Sequence, residues 1–340
     1  MMERQNTDQL TQLAQKVLQY YGITPEGIRI IQSKGLKTLW KFSHEGMNMC
    51  LKRLRHSKEK VLFSVHAQMH INQRGGSVPD VILNQSGSAV TNHDGQLFVL
   101  YGWIDGRDLN FDNPGDLALA VEGLAGVHKA SVGYKPPEGA RVSSKLGKWP
   151  GQYQSMRTRL AEWKELARPR QQPNFQCFLK HAGRMLEIAD RAIEAVHNSC
   201  YAALTGEEYS SYPLCHQDYG RGNVLWSDGK AYVLDFDGVT YDLVARDLRK
   251  IIGKQMEDGG GWNGARINEI IKWYENGNKL TDEEKEILTV DLMFPHWFFA
   301  EVKDLFKKNK PVPAGKIERA ARFEEAKIPV LKGLSGGSRL

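Results

Sequence analysis

Leu10, Leu13, Ala14, Val17, Leu18 and Tyr21 recur at the spacing of one helix face, so the chain is predicted to open with an amphipathic helix that Gly22 stops. Past Gly22 the period shortens to two. Ile28 and Ile30, then Leu39, Lys41 and their neighbours, then Met47, Met49 and Leu51 alternate in short runs parted by Gly35 and by Glu45-Gly46, the pattern of an antiparallel sheet. A second helix is expected from Ser57, as N-cap, to Arg74, where Gly75-Gly76-Ser77 and Pro79 end it. Strands over Ala89 to Thr91 and Leu97 to Trp103 flank the turn His93-Asp94-Gly95. From Pro114 the periodicity is mainly helical, with helices expected over 115–130, 150–168, 175–199, 245–257, 264–276 and 281–307. One hairpin interrupts them: strands around Asn223 to Trp226 and Ala231 to Asp235 flank Ser227-Asp228-Gly229, a turn-forming group.

The expected fold class is therefore α+β, with a small strand-rich part over residues 1–103, a larger mainly helical part over 104–332, and a flexible Gly/Ser tail over 333–340. A length of 340 residues suits two lobes, and 41% hydrophobic with 25% charged residues excludes disordered, collagen-like and disulfide-scaffold classes. No apolar run approaches the ~20 residues of a membrane helix, and the polar start MMERQNTDQL lacks the pattern of a signal peptide. Cytoplasmic synthesis and no membrane partner are the expectation. Cys50, Cys177, Cys200 and Cys215 show no CxxC spacing, which argues against a zinc site or a disulfide set and for buried thiols. The charge of +6 gathers in Lys303, Lys307, Lys308, Lys310 and Lys316, the pattern of a solvated helix face, and no nucleic-acid-binding module accompanies it.

The hairpin holds the most informative residues. Asn223 and Asp235 lie six residues either side of Gly229, so a tight turn there is expected to set them nearly opposite one another. An amide oxygen and a carboxylate are hard ligands suited to Mg²⁺, which takes one or two protein ligands and fills its shell with water and phosphate oxygens. Asp218, in the loop entering the hairpin, is placed to accept a proton from a hydroxyl nucleophile, and His216 to brace that loop. Each residue alone also suits an ordinary turn or core position; the joint spacing is what carries information.

His216-x-Asp218-x4-Asn223, followed by Leu234-Asp235-Phe236-Asp237, resembles the catalytic loop and metal-binding segment of kinases in the aminoglycoside-phosphotransferase and choline-kinase group. That resemblance implies a bilobal protein-kinase-like fold with ATP and Mg²⁺ as cofactors. It asks for a lysine on the third strand to meet the phosphates, and Lys52 answers, just ahead of the Ser57 helix in the αC part. It also implies that Leu97 to Trp103 runs into a hinge whose backbone at Tyr101 to Trp103 meets adenine, and that Gly35 marks the phosphate-covering turn, although Gln32 to Thr38 contains no GxGxxG. Ser144-Lys145-Leu146-Gly147-Lys148-Trp149, Leu124-Ala125-x2-His128-x-Ala130-Ser131, Tyr241-Asp242-Leu243-x2-Arg246-Asp247-Leu248-Arg249 and Asp291-Leu292-x-Phe294-Pro295-His296 are similar to the CotS/CotI spore coat protein family. Membership would imply an endospore-coat location, coat-protein partners, and Asp247 as a brace of the catalytic loop from a helix start, a position that an ordinary helix cap would also explain.

One departure stands out. The central stretch of the αC-like helix, Leu62 to His70, contains no carboxylate to orient Lys52; Glu59 lies in the first turn, leaving His66 or Gln68 as neutral substitutes. Two readings follow: a phosphotransferase moving the γ-phosphoryl of ATP to a small-molecule hydroxyl, or a catalytically weak or inactive kinase-fold component of the spore coat. The acceptor is not legible. Trp149, Tyr153, Arg157, Trp297 and Phe298 could line its pocket or simply fill the core.

Overall fold

The period-two stretches become a six-stranded antiparallel sheet among the residues described by this computed structural model, 2–35 and 37–334. The first helix, α1 (Met2–Leu18), passes into a 3-10 turn that Gly22 closes in the left-handed region at φ 70°. Then come β1 (Glu26–Lys34), β2 (Lys37–His44) and β3 (Met47–Leu54), followed by α2 (Lys58–Gln73), with Ser57 and Arg74 as its caps. Three further strands, β4 (Val81–Ile82), β5 (Thr91–His93) and β6 (Gln96–Gly102), complete the order β1-β2-β3-β6-β4, with β5 also paired to β6. Successive side chains of β6 go to opposite faces. Phe98 and Leu100 join Ala14, Val17 and Leu18 of α1 with Trp40, Phe42 and Leu51, whereas Leu97 and Val99 join Val61 and Val65 of α2 with Leu54. Both faces are covered, which is why β6 reads as a continuous apolar run and not as an alternation. Burying each large apolar side chain contributes about 1.5–3 kcal/mol.

This sheet belongs to one compact unit, formed by the described residues within 1–144 and 210–241; the described residues within 145–209 and 242–340 form another. The first unit continues with β7 (Arg107–Asp108) and α3 (Pro114–Ser131), whose Asn113 cap accepts the Gly115 and Asp116 N–H groups. It then takes up β8 (Leu214–Cys215), β9 (Val224–Ser227), β10 (Lys230–Val233) and β11 (Thr240–Tyr241). The hairpin β9–β10 is flanked by β7, and β8 pairs with β11. A bare backbone at Gly123 lets α3 lie against β10, since an added Cβ would stand 2.7 Å from the Ala231 Cβ.

The second unit is helical among its described residues: α4 (Trp149–Ala167), α5 (Pro173–Asn198), α6 (Tyr201–Leu204), α7 (Ala245–Asp258), α8 (Gly264–Gly277), α9 (Asp282–Met293), α10 (His296–Lys307) and α11 (Ala314–Leu334). Leu160, Trp163, Phe178, Met185, Phe298 and Val302 share one core with Ile317 and Ala321 of α11. Trp149, Tyr153 and Phe298 are fully buried, so three of the acceptor-pocket candidates are core. Helix α7 passes so close to Trp297 that a Cβ on Gly253 would fall 1.5 Å from the indole Cζ2.

Three expectations need correction. The helix expected over 281–307 is two helices, because Pro295 cannot continue α9 and starts α10 instead. A 21-residue helix, α11, was not foreseen; it tolerates Pro329 in its interior and takes in Gly333 of the expected tail, whose residues 335–340 lie outside the described ones. Of the four cysteines, all free, Cys50 and Cys215 are buried but Cys177 and Cys200 are only partly so. Among the described residues no helix is long and apolar enough to cross a membrane.

Candidate active site

Two-residue turns set the register of the first unit. Glu45-Gly46, Asp94-Gly95 and Asp228-Gly229 each join paired strand ends with both residues at positive φ, which explains three of the six non-glycine residues in the left-handed region among the described ones. Asn309 lies in the loop after α10; the other two are Gln217 and Asp235. These flank the candidate chemistry. A carboxylate held at φ 63° and ψ 67° is a strained backbone position, and such strain persists where the surrounding structure over-determines it.

Register also corrects the expected placement of Asn223 and Asp235. With the turn at 228–229, Val224 faces Val233, and the next pair along is Asn223 with Leu234, whose N–H donates to the Asn223 carbonyl at 2.9 Å. Asp235 thus lies one step beyond Asn223 instead of opposite it, because the symmetry axis falls between Asp228 and Gly229 and not on Gly229. Both residues nevertheless line one cavity of about 220 Å³ with Lys52, Tyr101, Trp103 and Gln68.

His216 ties the two segments together. Its Nε2–H donates to the Leu234 carbonyl at 2.8 Å, while its Nδ1 accepts the Asp218 N–H at 3.3 Å, and the ring meets Tyr219 and Phe236 edge-on. Asn223 completes the loop by donating from Nδ2 to the Asp218 carbonyl at 2.8 Å. That bond engages the amide nitrogen, so the Asn223 Oδ1 is the atom left with lone pairs for a hard cation.

Lysines, not a helix acid, dominate the charge around Asp235. Lys52 Nζ donates to Asp235 Oδ1 at 2.8 Å and to Asp237 Oδ1 at 2.7 Å, and Lys37 Nζ donates to Asp235 Oδ2 at 2.7 Å. Burial by itself pushes the Lys52 ammonium down, but Tyr101 and the Asp237 and Asp235 carboxylates outweigh it and hold it above its ordinary value. Burial likewise raises the Asp235 carboxyl, and Lys52 and Lys37 more than reverse this, leaving it well below the usual carboxylate range. Desolvation pushes the Cys50 thiol on the cavity wall up to about 12, so it stays protonated near neutrality.

Helix α2 supplies no acid to this group. Gln68 reaches the cavity but donates its amide to the Pro79 carbonyl at 2.7 Å, His66 is half-buried, and Glu59 lies in the first turn. The second carboxylate that Lys52 meets is Asp237, in the 3-10 turn Phe236–Gly238. Sequence reasoning assigned no role to Asp237 or Lys37. The two-residue step from Asp235 to Asp237 was a usable signal for the former; Lys37, directly after the Gly35 turn, offered only its place at the start of a strand.

The remaining expectations fall as follows. Gly35 sits at φ 60° in the β1–β2 turn, its carbonyl 3.4 Å from Arg53 Nη2, and the neighbouring Leu36 lies outside the described residues. At the expected hinge the Gly102 and Trp103 N–H groups are already engaged, donating to the Asp80 and Asn48 carbonyls at 3.0 and 3.1 Å. Trp103 is fixed by its own indole N–H, which donates to Asp105 at 2.9 Å, and by Lys41 over its ring at 4.2 Å. Asp247 belongs to the second unit, fully buried in the first turn of α7.

Comparison with known proteins gives the family and the fold. The chain is 25% identical to spore coat protein S of Bacillus subtilis (strain 168) over 300 residues, 88% of this chain and 86% of that protein. Among solved structures it is similar to an aminoglycoside phosphotransferase from Alicyclobacillus acidocaldarius, with a TM-score of 0.73 at 17% identity over 95% of this chain and 94% of that one. It is also similar to the amicoumacin kinase hAmiN in complex with AMP-PNP, Ca²⁺ and Ami, with a TM-score of 0.64 at 16% identity over 95% and 96% of the two chains. These likenesses give the fold of the protein-kinase-like phosphotransferases. Residues 28–275 match the model of the phosphotransferase enzyme family, and the chain belongs to that family.

Proposed function

We propose that the protein is an ATP- and Mg²⁺-dependent phosphotransferase that moves the γ-phosphoryl group to a small-molecule hydroxyl and works in the endospore coat. One observation carries this reading: Lys52, Asn223 and Asp235 line a single cavity, and His216 and Asn223 both bond the loop that presents Asp218. The nucleotide is supported by the AMP-PNP bound to the amicoumacin kinase, and the coat location by the likeness to spore coat protein S. We assign residues 1–103 to the nucleotide-covering lobe and 104–332 to the lobe that carries base and acceptor.

In this reading Asp218 accepts the proton of the acceptor hydroxyl at its carboxylate. Lys52 turns its ammonium to the α- and β-phosphates, and Asp237 keeps it from swinging away once Asp235 is engaged elsewhere. Asn223 Oδ1 and the Asp235 carboxylate are hard oxygen donors beside two ammonium groups, a set that fits Mg²⁺ with nucleotide phosphates. Bound there, the ion supplies neutralisation of charge on the transferring phosphoryl oxygens. The second reading, a coat component of kinase fold without turnover, is favoured by the absence of an acid in the centre of α2 and by lysines on both oxygens of Asp235.

Thermal unfolding with ATP and Mg²⁺ tests the site. A ligand at a hundred times its Kd adds about 2.7 kcal/mol to stability. Asp235→Ala is expected to remove the Mg²⁺-dependent part of the shift. Asp218→Asn should keep the full shift while phosphoryl transfer falls about 10²- to 10⁴-fold. Equal melting temperatures with and without millimolar nucleotide would remove the nucleotide reading, and undiminished coat function of Asp218→Asn in sporulating cells would favour the scaffold.

A further inference from the structure

In the second unit, α5 and α11 bring together three side chains of mixed ligand chemistry that the phosphotransferase reading does not use. Cys177 and His181 are four residues apart on α5 and so share a face, and Glu318 meets them from the start of α11. His181 Nε2 lies 2.7 Å from Glu318 Oε2, and Cys177 Sγ lies 3.7 Å from the same oxygen. All three donor atoms are within 4.8 Å of one another.

Those separations are close to the edges of a tetrahedral metal site. With Zn–S of about 2.3 Å and Zn–N and Zn–O of about 2.0 Å, two ligands on one ion stand about 3.5 Å apart for sulfur and oxygen and about 3.3 Å for nitrogen and oxygen. The His181 nitrogen and Glu318 oxygen would part by about 0.6 Å, and the Cys177 sulfur and His181 nitrogen, now within 4.8 Å, would stand about 3.5 Å apart.

The Glu318 carboxylate is also supported from behind. Its Oε1 accepts Arg322 Nε and Nη2 at 3.0 and 2.9 Å, and Lys180 reaches both oxygens at 3.3 Å. Hydrogen bonding from outside is what ligating carboxylates ordinarily have. Lys180 and Arg322 are 64% and 73% exposed, so water and salt screen their repulsion of a cation, whereas His181 is buried and Cys177 half-sheltered.

We propose that Cys177, His181 and Glu318 bind one Zn²⁺, with water in the fourth position. Binding would form the Zn–S bond as the Cys177 thiol releases its proton to solvent, and His181 would ligate through Nε2 with its proton on Nδ1. Soft sulfur beside imidazole and carboxylate selects Zn²⁺ over Mg²⁺. The absence of CxxC spacing in the sequence did not exclude this set, because its two nearest ligands are a cysteine and a histidine one helical turn apart and its third is 137 residues from His181. The ion would fasten α11, which lies beyond the residues matching the family, to α5.

The test uses the full chain, free of any affinity tag, dialysed against buffered Zn²⁺ and analysed for metal. One equivalent of Zn²⁺ is expected, together with a rise in melting temperature, and Co²⁺ in its place should give a thiolate charge-transfer absorption. Cys177→Ser should lose that absorption and the thermal shift, while Cys200→Ser keeps both. Arg322→Ala, which leaves all three ligands, should weaken binding by about 10- to 100-fold. Far-UV circular dichroism checks that each variant is folded. Less than stoichiometric Zn²⁺ in the parent, or a cobalt–thiolate band that survives Cys177→Ser, would overturn the proposal.

Discussion

Two clusters of charge lie within this chain, built from similar groups and differing in access to solvent. In the first unit, Lys37, Asp235, Lys52 and Asp237 form a chain of ion pairs at a cavity, and the outer three keep 21–28% of their side chains exposed. In the second, Asp291 is fully buried; its Oδ1 accepts Tyr153 Oη and His296 Nε2, and its Oδ2 accepts Arg249 Nε at 2.8 Å. A buried lysine whose partners Asp235 and Asp237 both reach water, with the partly exposed Lys37 beside them, leaves those carboxylates open to a cation and the ammonium groups to a polyanion. A carboxylate closed in by an arginine, a histidine and a tyrosine is suited only to hold its helices together. Charge pairing alone therefore says little about function; the space beside it does.

The same substitution in each cluster gives the sharpest contrast. Asp291→Asn should cost about 3–5 kcal/mol in urea or thermal unfolding, because it leaves Arg249 buried without its counter-charge. Asp237→Asn should cost less, about 1–3 kcal/mol, because the buried Lys52 loses one hydrogen-bonded partner but keeps the Asp235 carboxylate as counter-charge. Comparable losses at both positions would erase the distinction.

A pH series sharpens it further. Burial, then Arg249, hold His296 down to about 3 from an ordinary 6.5, so the stability it contributes is present above 6.5 and is lost as pH falls toward 3. Asp242, whose Oδ1 accepts the Trp149 indole N–H, is pushed by burial up to about 7 from 3.8. Its contribution has the opposite sign, present below 3.8 and lost as pH rises through 7. Between 3.8 and 6.5 the two slopes, each about 1.4 kcal/mol per pH unit, oppose one another. Removing one of them with Asp242→Asn should expose a rise in stability with pH across that window. A curve as flat as the parent's would show that His296 is not held neutral.

The smallest effect concerns the hinge. Since the Gly102 and Trp103 N–H groups already donate within the fold, slowing of hydrogen exchange on nucleotide binding should concentrate at Ile104. Strong new protection at Trp103 would mean that its bond to Asn48 opens when nucleotide enters.

Much of the first unit was legible because local chemistry and long-range pairing agree there. Xaa-Gly turns at 45–46, 94–95 and 228–229 announce hairpins, and alternation announces the faces of β2 and β3. The spacing of His216, Asp218, Asn223 and Asp235 pointed to one loop and one hairpin; in the structure the His216 and Asn223 side chains bond the Asp218 backbone, and Asn223 and Asp235 line one cavity. What escaped depended on small geometric offsets. A turn centred between two residues shifts register by one position, enough to move Asp235 from opposite Asn223 to the step beyond it. Asp237 reaches Lys52 only because a 3-10 turn follows Asp235, and no periodicity encodes that. Helix α11 was hidden by Pro329 and by a mixture of charged and apolar residues whose partners, such as Phe298 on α10, are set by packing.

The contact between Gly253 and Trp297 bears on how such sequences diverge. An indole resting where a methyl group would otherwise stand ties the two positions into a single mutational unit. Any side chain at 253 must follow, not precede, the loss of the tryptophan at 297. The reverse order is open, because removing the indole first leaves a gap in the packing rather than a collision. Divergence through this part of the protein thus has a direction: alanine at 253 should accompany a smaller residue at 297.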